Sequence, residues 1–246
     1  MSLTYRIGTS GWNYKHWQGA FYPAELSQSK WLEFYCQHFD TVELNASFYR
    51  LPQQKTFESW RDRTPRGFCW AVKASRIITH RQRLRDVGTS IERFYSHASC
   101  LREKLGPVLF QLPPSLTYDA ELFEDFCYHL EPIPKSVVEI RHRSWLNERF
   151  FSQLEQHGIA FCISDTAGRF PYHEAITARF VYIRLHGSKK LYASEYSEEE
   201  LTLWAQKIIQ WQLPAYVYFD NDFNAYAVKN AIQLKKILHA LDYRSL

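Results

Sequence analysis

Ser136-Val137-Val138-Glu139-Ile140-Arg141-His142-Arg143-Ser144-Trp145 is the stretch from which the rest of the chain can be read. Val137, Val138, Ile140 and Trp145 are apolar or aromatic, and β-branched residues fill the front half, which predicts a strand buried on both faces. Within it, Glu139 and Arg141 stand two residues apart and so share one face, while Val138 and Ile140 share the other. One face therefore meets an apolar layer and the other presents a carboxylate and a guanidinium to something polar. Burying either charge alone costs several kcal/mol, so each requires a partner, water or a ligand.

Outward from this strand, short β-rich runs alternate with longer amphipathic segments. Strands are expected over Tyr5 to Thr9, Thr41 to Asn45, Cys69 to Lys73, Val108 to Leu112, Ser136 to Arg141, Ala160 to Asp165, Phe180 to His186 and Ala215 to Phe219. Helices are expected over Lys30 to His38, Thr56 to Arg63, Ser90 to Leu105, Glu121 to Leu130, Glu148 to Gln156, Glu198 to Trp211 and Ala225 to His239. The connection from Ala167 to Ala178 reads as short and irregular. Alternation of this kind points to parallel crossovers, and the 246 residues suit one α/β domain spanning 1–246, a closed eight-stranded barrel. A doubly wound open sheet is the alternative, but Ile7-Gly8-Thr9-Ser10-Gly11 lacks the GxGxxG spacing that such a sheet places after its first strand.

Composition narrows the function classes. Hydrophobic residues make up 46% of the chain, enough for a sizeable core, and the 17% aromatic share supplies rings for a sugar or base pocket as well as for packing. With 30 basic and 26 acidic residues the formal charge is +4, which gives nucleic-acid binding little support. The local exception is the basic segment Arg76 to Arg85, with Arg81, Arg83 and Arg85 alternating, which reads as a solvated loop. Five dispersed cysteines, Cys36, Cys69, Cys100, Cys127 and Cys162, show no CxxC spacing and read as reduced thiols of a cytoplasmic protein. No apolar signal core opens the chain and no run reaches the length of a membrane span.

The strand period turns the barrel into a list of residues, because helix-facing positions are apolar and alternate positions face the axis. Glu43, Asn45, Ala71, Lys73, Ser75, Leu109, Gln111, Tyr182, Arg184, His186, Tyr218 and Asp220 fall on the axis side with Glu139 and Arg141. Their charges gather at the C-terminal ends of the strands, where barrel enzymes place their chemistry. A structural ion-pair network plugging the barrel mouth is the competing reading.

The same residues carry a family resemblance. Ile7-Gly8-Thr9-Ser10-Gly11-Trp12 with Tyr14, Trp17 and Phe21-Tyr22-Pro23 resembles the opening signature of the YecE-like family, a domain of unknown function. The resemblance continues through Val42-Glu43-Leu44-Asn45 with Phe48-Tyr49 and Pro52, Lys73 with Thr79-His80, and Gly106-Pro107 with Phe110-Gln111-Leu112-Pro113-Pro114. Glu139-Ile140-Arg141 with Ser144-Trp145, Arg184-Leu185-His186-Gly187, Tyr218-Phe219-Asp220-Asn221 and Asn230-Ala231 complete it. It implies a TIM-like (β/α)8 barrel and brings no established reaction. The family commonly shows Asn-Asn after the last strand where this chain has Asp220-Asn221, and Thr is common where Ser47 stands.

Glu43 and Glu139 are candidates for general acid and base, since two carboxylates in different surroundings can be tuned apart. Lys73 can hold an anion, lower a neighbouring carboxyl's pKa or act as an amine nucleophile, and His186 can transfer a proton near neutral pH. Arg141 and Arg184 suit bidentate capture of carboxylate or phosphate, with Asn45, Gln111 and Asn221 as further binding groups. Trp12, Tyr14, Tyr49 and Trp145 are candidates to stack on a sugar or base, and Gly187-Ser188-Lys189-Lys190 lies where many barrels bind phosphate. No HExxH or clustered His/Cys spacing marks a metal, although Glu43, Glu139, Asp165 and His186 have the donor types of a hard-cation site. No cofactor motif is present, so the cofactor stays unassigned. Three functions compete: an acid–base enzyme acting on a small anionic or sugar-like metabolite, a metal-assisted phosphodiesterase meeting nucleic acid through the Arg76 to Arg85 segment, and a non-enzymatic ligand-binding barrel.

Overall fold

The computed structural model describes residues 3–130 and 133–242. Eight strands, β1 (Tyr5–Thr9), β2 (Thr41–Leu44), β3 (Cys69–Lys73), β4 (Leu105–Gln111), β5 (Ser136–Glu139), β6 (Ala160–Asp165), β7 (Val181–Leu185) and β8 (Ala215–Phe219), form one sheet. Its order is β1-β8-β7-β6-β5-β4-β3-β2 and every ladder is parallel. The two edges meet at an isolated bridge between Ser10 and Glu43, where the Gly11 amide donates to the Glu43 carbonyl at 2.8 Å. The result is a TIM-like (β/α)8 barrel.

At the β1–β2 seam a tyrosine stands in for part of a ladder. The Tyr35 hydroxyl accepts from the Thr9 amide at 3.1 Å and lies 3.1 Å from the Thr41 carbonyl that it faces. Glycine is required beside it, because a Cβ on Gly8 would sit 2.4 Å from the Thr41 carbonyl oxygen. Satisfying these groups matters, since a buried unpaired backbone group costs about as much as a lost hydrogen bond.

Outside the barrel pack α1 (Trp31–Tyr35), α2 (Ala46–Tyr49), α3 (Gln54–Arg63), α4 (Gly88–Ala98), α5 (Ala120–Leu130), α6 (Glu148–Gln156), α7 (Glu198–Trp211) and α8 (Tyr226–Asp242). Cap chemistry fixes two of them where the sequence places them. Asn147 accepts from the Phe150 amide at 2.9 Å to start α6, and Ser197 and Glu200 form a reciprocal capping box at the start of α7. The helix expected from Ser90 to Leu105 instead ends at Ala98 and continues as a 3-10 turn, Ser99–Lys104, broken at Arg102 with φ +52°. Lys104 is the cause, its buried ammonium donating to the Arg61 and Thr64 carbonyls at 2.5 Å each. Strand β4 then starts three residues before the expected Val108, and Gly106 makes room where a Cβ would lie 2.4 Å from Cys69 Sγ.

The segment Arg76 to Arg85 is solvated on its arginine side, as expected, but it is not a loop throughout. Ile77–Arg81 forms a π-type turn, Ile78, Thr79 and Leu84 are buried, and Arg83 donates to Ser115 Oγ and its carbonyl at 2.9 and 2.8 Å. Apolar anchors override the charge pattern there, leaving the Arg76, Arg81 and Arg85 side exposed. The connection from Ala167 to Ala178 carries no helix, as expected.

Two apolar layers position the site. Val42, Leu44, Trp70, Val72, Phe110, Val138, Ile163, Ile183, Val217 and Phe219 pack towards the helices. Ala71, Leu109, Val137, Cys162, Tyr182 and Tyr218 fill the barrel interior. One strand shows the gradient along the axis: Phe180, Tyr182, Arg184 and His186 take the chain from apolar filling to charge as it climbs to the C-terminal mouth. Among the described residues no helix is long and apolar enough to cross a membrane.

Candidate active site at the barrel mouth

Arg184, near the end of β7, is the centre of the mouth. Its Nε and Nη2 lie 3.0 and 2.8 Å from Glu43 Oε2 and Oε1, its Nη1 lies 3.0 Å from Glu139 Oε2, and Nη2 also reaches Asp220 Oδ2 at 2.9 Å. Glu43 is further held by Ser10 Oγ at 2.5 Å and the Tyr182 hydroxyl at 2.6 Å. Glu139 accepts from Ser164 Oγ at 3.0 Å and pairs with Arg141 Nη2. All four carboxylate oxygens of Glu43 and Glu139 thus have donors.

Electrostatics follow from these contacts. Burial pushes the Glu43 carboxyl up, but the Arg184 guanidinium outweighs it and holds the group below its usual range. Burial likewise opposes Glu139, and Arg141 and Arg184 together hold it well below that range. Burial also works against Asp220, yet Arg184 and His186 bring its carboxyl down to about 2. Attraction wins in each case because a unit pair at ~4 Å is worth about 4 kcal/mol at an effective dielectric of about 20. All three groups are carboxylates at neutral pH.

Since a guanidinium can only donate, the 3.1 Å contact from Arg184 Nη1 assigns the lone pair of His186 to Nε2 and its hydrogen to Nδ1, which faces Asp220 Oδ2 at 3.0 Å. The contact is close but misaligned for a hydrogen bond, so His186 Nδ1 has no hydrogen-bond partner among the described residues.

Two cationic groups are less fully engaged. Lys73 Nζ, at the end of β3, donates to Gln111 Oε1 at 2.7 Å and lies 4.3 Å from the centre of the Phe48 ring. Burial, reinforced by Arg184, brings its amine down to about 8. Arg141 is buried with its guanidinium carbon 4.3 Å from the centre of the Phe170 ring, and its Nε and Nη1 have no hydrogen-bond partner among the described residues.

Glu43, Lys73, Gln111, Glu139, Arg141, Arg184 and His186 are therefore brought together. Trp12 and Asn45 line a neighbouring cavity of about 610 Å³ beside the β1–β2 seam. Three other candidates lie elsewhere. Tyr49 is 72% exposed, Trp145 is buried and donates to the Leu116 carbonyl at 2.7 Å, and Asn221 ties the end of β8 to the Ser194 carbonyl and Asn230 at 2.8 and 2.9 Å. Tyr14 donates to the Ser10 carbonyl at 2.6 Å. Asp165 does not join Glu43, Glu139 and His186 as the hard-cation reading required. It shares the outward phase of β6 with Ile163 and accepts from the Tyr196 hydroxyl at 2.9 Å, lining a separate cavity of about 360 Å³. Among the described residues no group of three or more His, Cys, Asp or Glu side chains is placed to hold a metal ion.

Ser10, Ser164, Tyr182 and Phe170 contribute without having been singled out as site residues. Strand phase carries a signal for Ser164, two residues beyond the inward Cys162, and for Tyr182. Phe170, in the irregular connection after β6, has none.

Comparison with known proteins agrees with this architecture. The family described as "Protein of unknown function DUF72" matches residues 6–244. The chain is 27% identical to the UPF0759 protein YunF of Bacillus subtilis, over 98% of this chain and 96% of that protein. It is 25% identical to the UPF0759 protein YecE of Escherichia coli K12, over 83% and 81% of the two. Among solved structures it is similar to a DUF72 family protein of Thermotoga maritima, with 30% identity, a TM-score of 0.87 and coverage of 96% of this chain and 99% of that one. With its barrel and mouth built from the motifs first read in the sequence, the chain belongs to the DUF72, or YecE-like, family.

Proposed function

We propose that the protein is an enzyme that takes a small anionic metabolite, phosphorylated or carboxylated, at the C-terminal mouth of its barrel and moves a proton on it. The observation that carries this reading is the pair of buried, unpartnered donors Nε and Nη1 of Arg141. Among the described residues the donors left at the mouth are these two, His186 Nδ1 and the ammonium of Lys73, of whose three hydrogens Gln111 takes one. The two Arg141 donors lie on different edges of the guanidinium, so each offers a single charge-assisted hydrogen bond to an oxygen of a carboxylate or phosphate. Lys73, with its amine brought down to about 8, is matched to proton transfer near neutral pH, whereas Glu43 and Glu139, held ionised by guanidinium groups, serve as the rigid platform for Arg184. The five cysteines are all free thiols, in keeping with a reducing cytoplasm.

A screen of phosphorylated sugars and organic acids by thermal shift tests it. An anion at about a hundred times its dissociation constant stabilises the fold by roughly 2.7 kcal/mol. The expected result is a shift in wild type that Arg141→Lys, which keeps the charge facing Glu139 but loses the Nε and Nη1 donors, abolishes. No stabilising anion, or an equal shift in Arg141→Lys, overturns the reading.

The saturation of both glutamates favours a second reading, a ligand-binding barrel without turnover. Lys73→Met separates the two. Loss of turnover with anion binding retained speaks for the enzyme, and a bound anion that wild type never converts speaks for the binder.

A further inference from the structure

Beside the mouth, across the β1–β2 seam, the cavity of about 610 Å³ has a size ordinary for a small-ligand site. We infer that it binds a neutral sugar ring. Two of its walls are the indoles of Trp12 and Trp60, whose planes stand at 88° with centroids 5.7 Å apart. A right-angled aromatic corner offers an apolar wall to the C–H face of a puckered ring and leaves the ring's edge to meet polar groups.

Those polar groups are present. Asn45 lines the cavity, and its Oδ1 is a buried acceptor with no partner among the described residues, while its Nδ2 is already spent on Ser10 Oγ at 2.6 Å. An acceptor so placed is matched by a ligand hydroxyl. Gln28 and Asn13, also lining residues, use one donor and one acceptor on each other at 2.7 Å, which leaves Gln28 Oε1 and Asn13 Nδ2 as one further acceptor and one further donor. The lining's cation, Arg63, is paired with Glu33 at 2.9 Å. With its charge balanced, the site favours an uncharged polyol over the anion proposed for the mouth.

The walls are also held in advance. The Trp12 carbonyl accepts from the Tyr22 hydroxyl at 2.5 Å, and Gly11 is fixed to the Glu43 carbonyl at 2.8 Å. Little loop ordering is left for the ligand to bring about.

Tryptophan fluorescence titrated with neutral mono- and oligosaccharides, against a parallel panel of nucleosides, tests the assignment. A saturable change is expected with a sugar, weakened about tenfold or more in Asn45→Ala and in Gln28→Ala. Gln28 is exposed, so its substitution reports on the cavity even where Asn45→Ala disturbs the seam through Ser10. Absence of saturation by any sugar, saturation by nucleosides alone, or wild-type sugar affinity in Gln28→Ala overturns the inference. The anion screen at Arg141 is read separately, so either site can fail without the other.

Discussion

Arg184 Nη2 and Glu43 Oε1 meet inside the barrel at 2.8 Å, with both side chains closed off from solvent. Neither charge has water to fall back on, so each depends on the other and on the groups that complete the shell, Ser10, Tyr182, Glu139 and Asp220. Removing one member of a buried pair is far more damaging than replacing both, because the survivor keeps its full desolvation cost.

Glu43→Gln is therefore expected to lower the free energy of unfolding by about 3 kcal/mol in urea denaturation, with Arg184→Met, which leaves three carboxylates facing one another, costing about 5 kcal/mol. The double variant should cost less than the sum of the singles, by about 1–3 kcal/mol. Strict additivity would mean that the two residues are not energetically coupled.

The β1–β2 seam gives a second expectation. Tyr35→Phe strips the hydroxyl from between the Thr9 amide and the Thr41 carbonyl, leaving buried backbone groups unpaired at a cost of about 1–3 kcal/mol. The Thr9 amide should then exchange its hydrogen faster than its neighbours in β1. Gly8→Ala should destabilise at least as much, since its Cβ meets a backbone oxygen at 2.4 Å that no rotamer can move. A Tyr35→Phe variant with wild-type stability and unchanged exchange at Thr9 would show that the seam closes without the hydroxyl.

Much of this molecule could be read from the chain because its two periods are clean. β1, β3, β6 and β8 run between the expected residues, as do α6 and α7, where alternation or a cap marks each end. The inward phase correctly separated Glu43, Lys73, Glu139 and Arg184 from the helix-facing Val42, Val72, Val138 and Ile183. What failed to show were features set by tertiary contacts. The four-residue α2 is too short for a helical period, and the break at Arg102 depends on Lys104 reaching the Arg61 and Thr64 carbonyls. Facing alone also could not tell which charges are spent on each other. Glu43 and Arg141 share the inward phase, yet one is fully paired and the other keeps two donors.

Lys73 offers the sharpest pH dependence. Its amine lies at about 8 in the fold against an ordinary 10.5, because burial and Arg184 disfavour the ammonium. Below pH 8 both folded and unfolded chains carry the proton, so the burial cost is felt in full. Between about 8 and 10.5 the unfolded chain holds a proton that the folded chain has released, and raising the pH then stabilises the fold. Relative to Lys73→Met, wild type should gain on the order of 3 kcal/mol across that window, read as the difference between their denaturation curves. An anion bound at the mouth reverses the balance by favouring the ammonium. Its affinity for wild type should fall by up to about tenfold per pH unit above 8 while staying flat in Lys73→Met. A pH-independent stability difference together with pH-independent anion affinity would remove Lys73 from both the titration and the site.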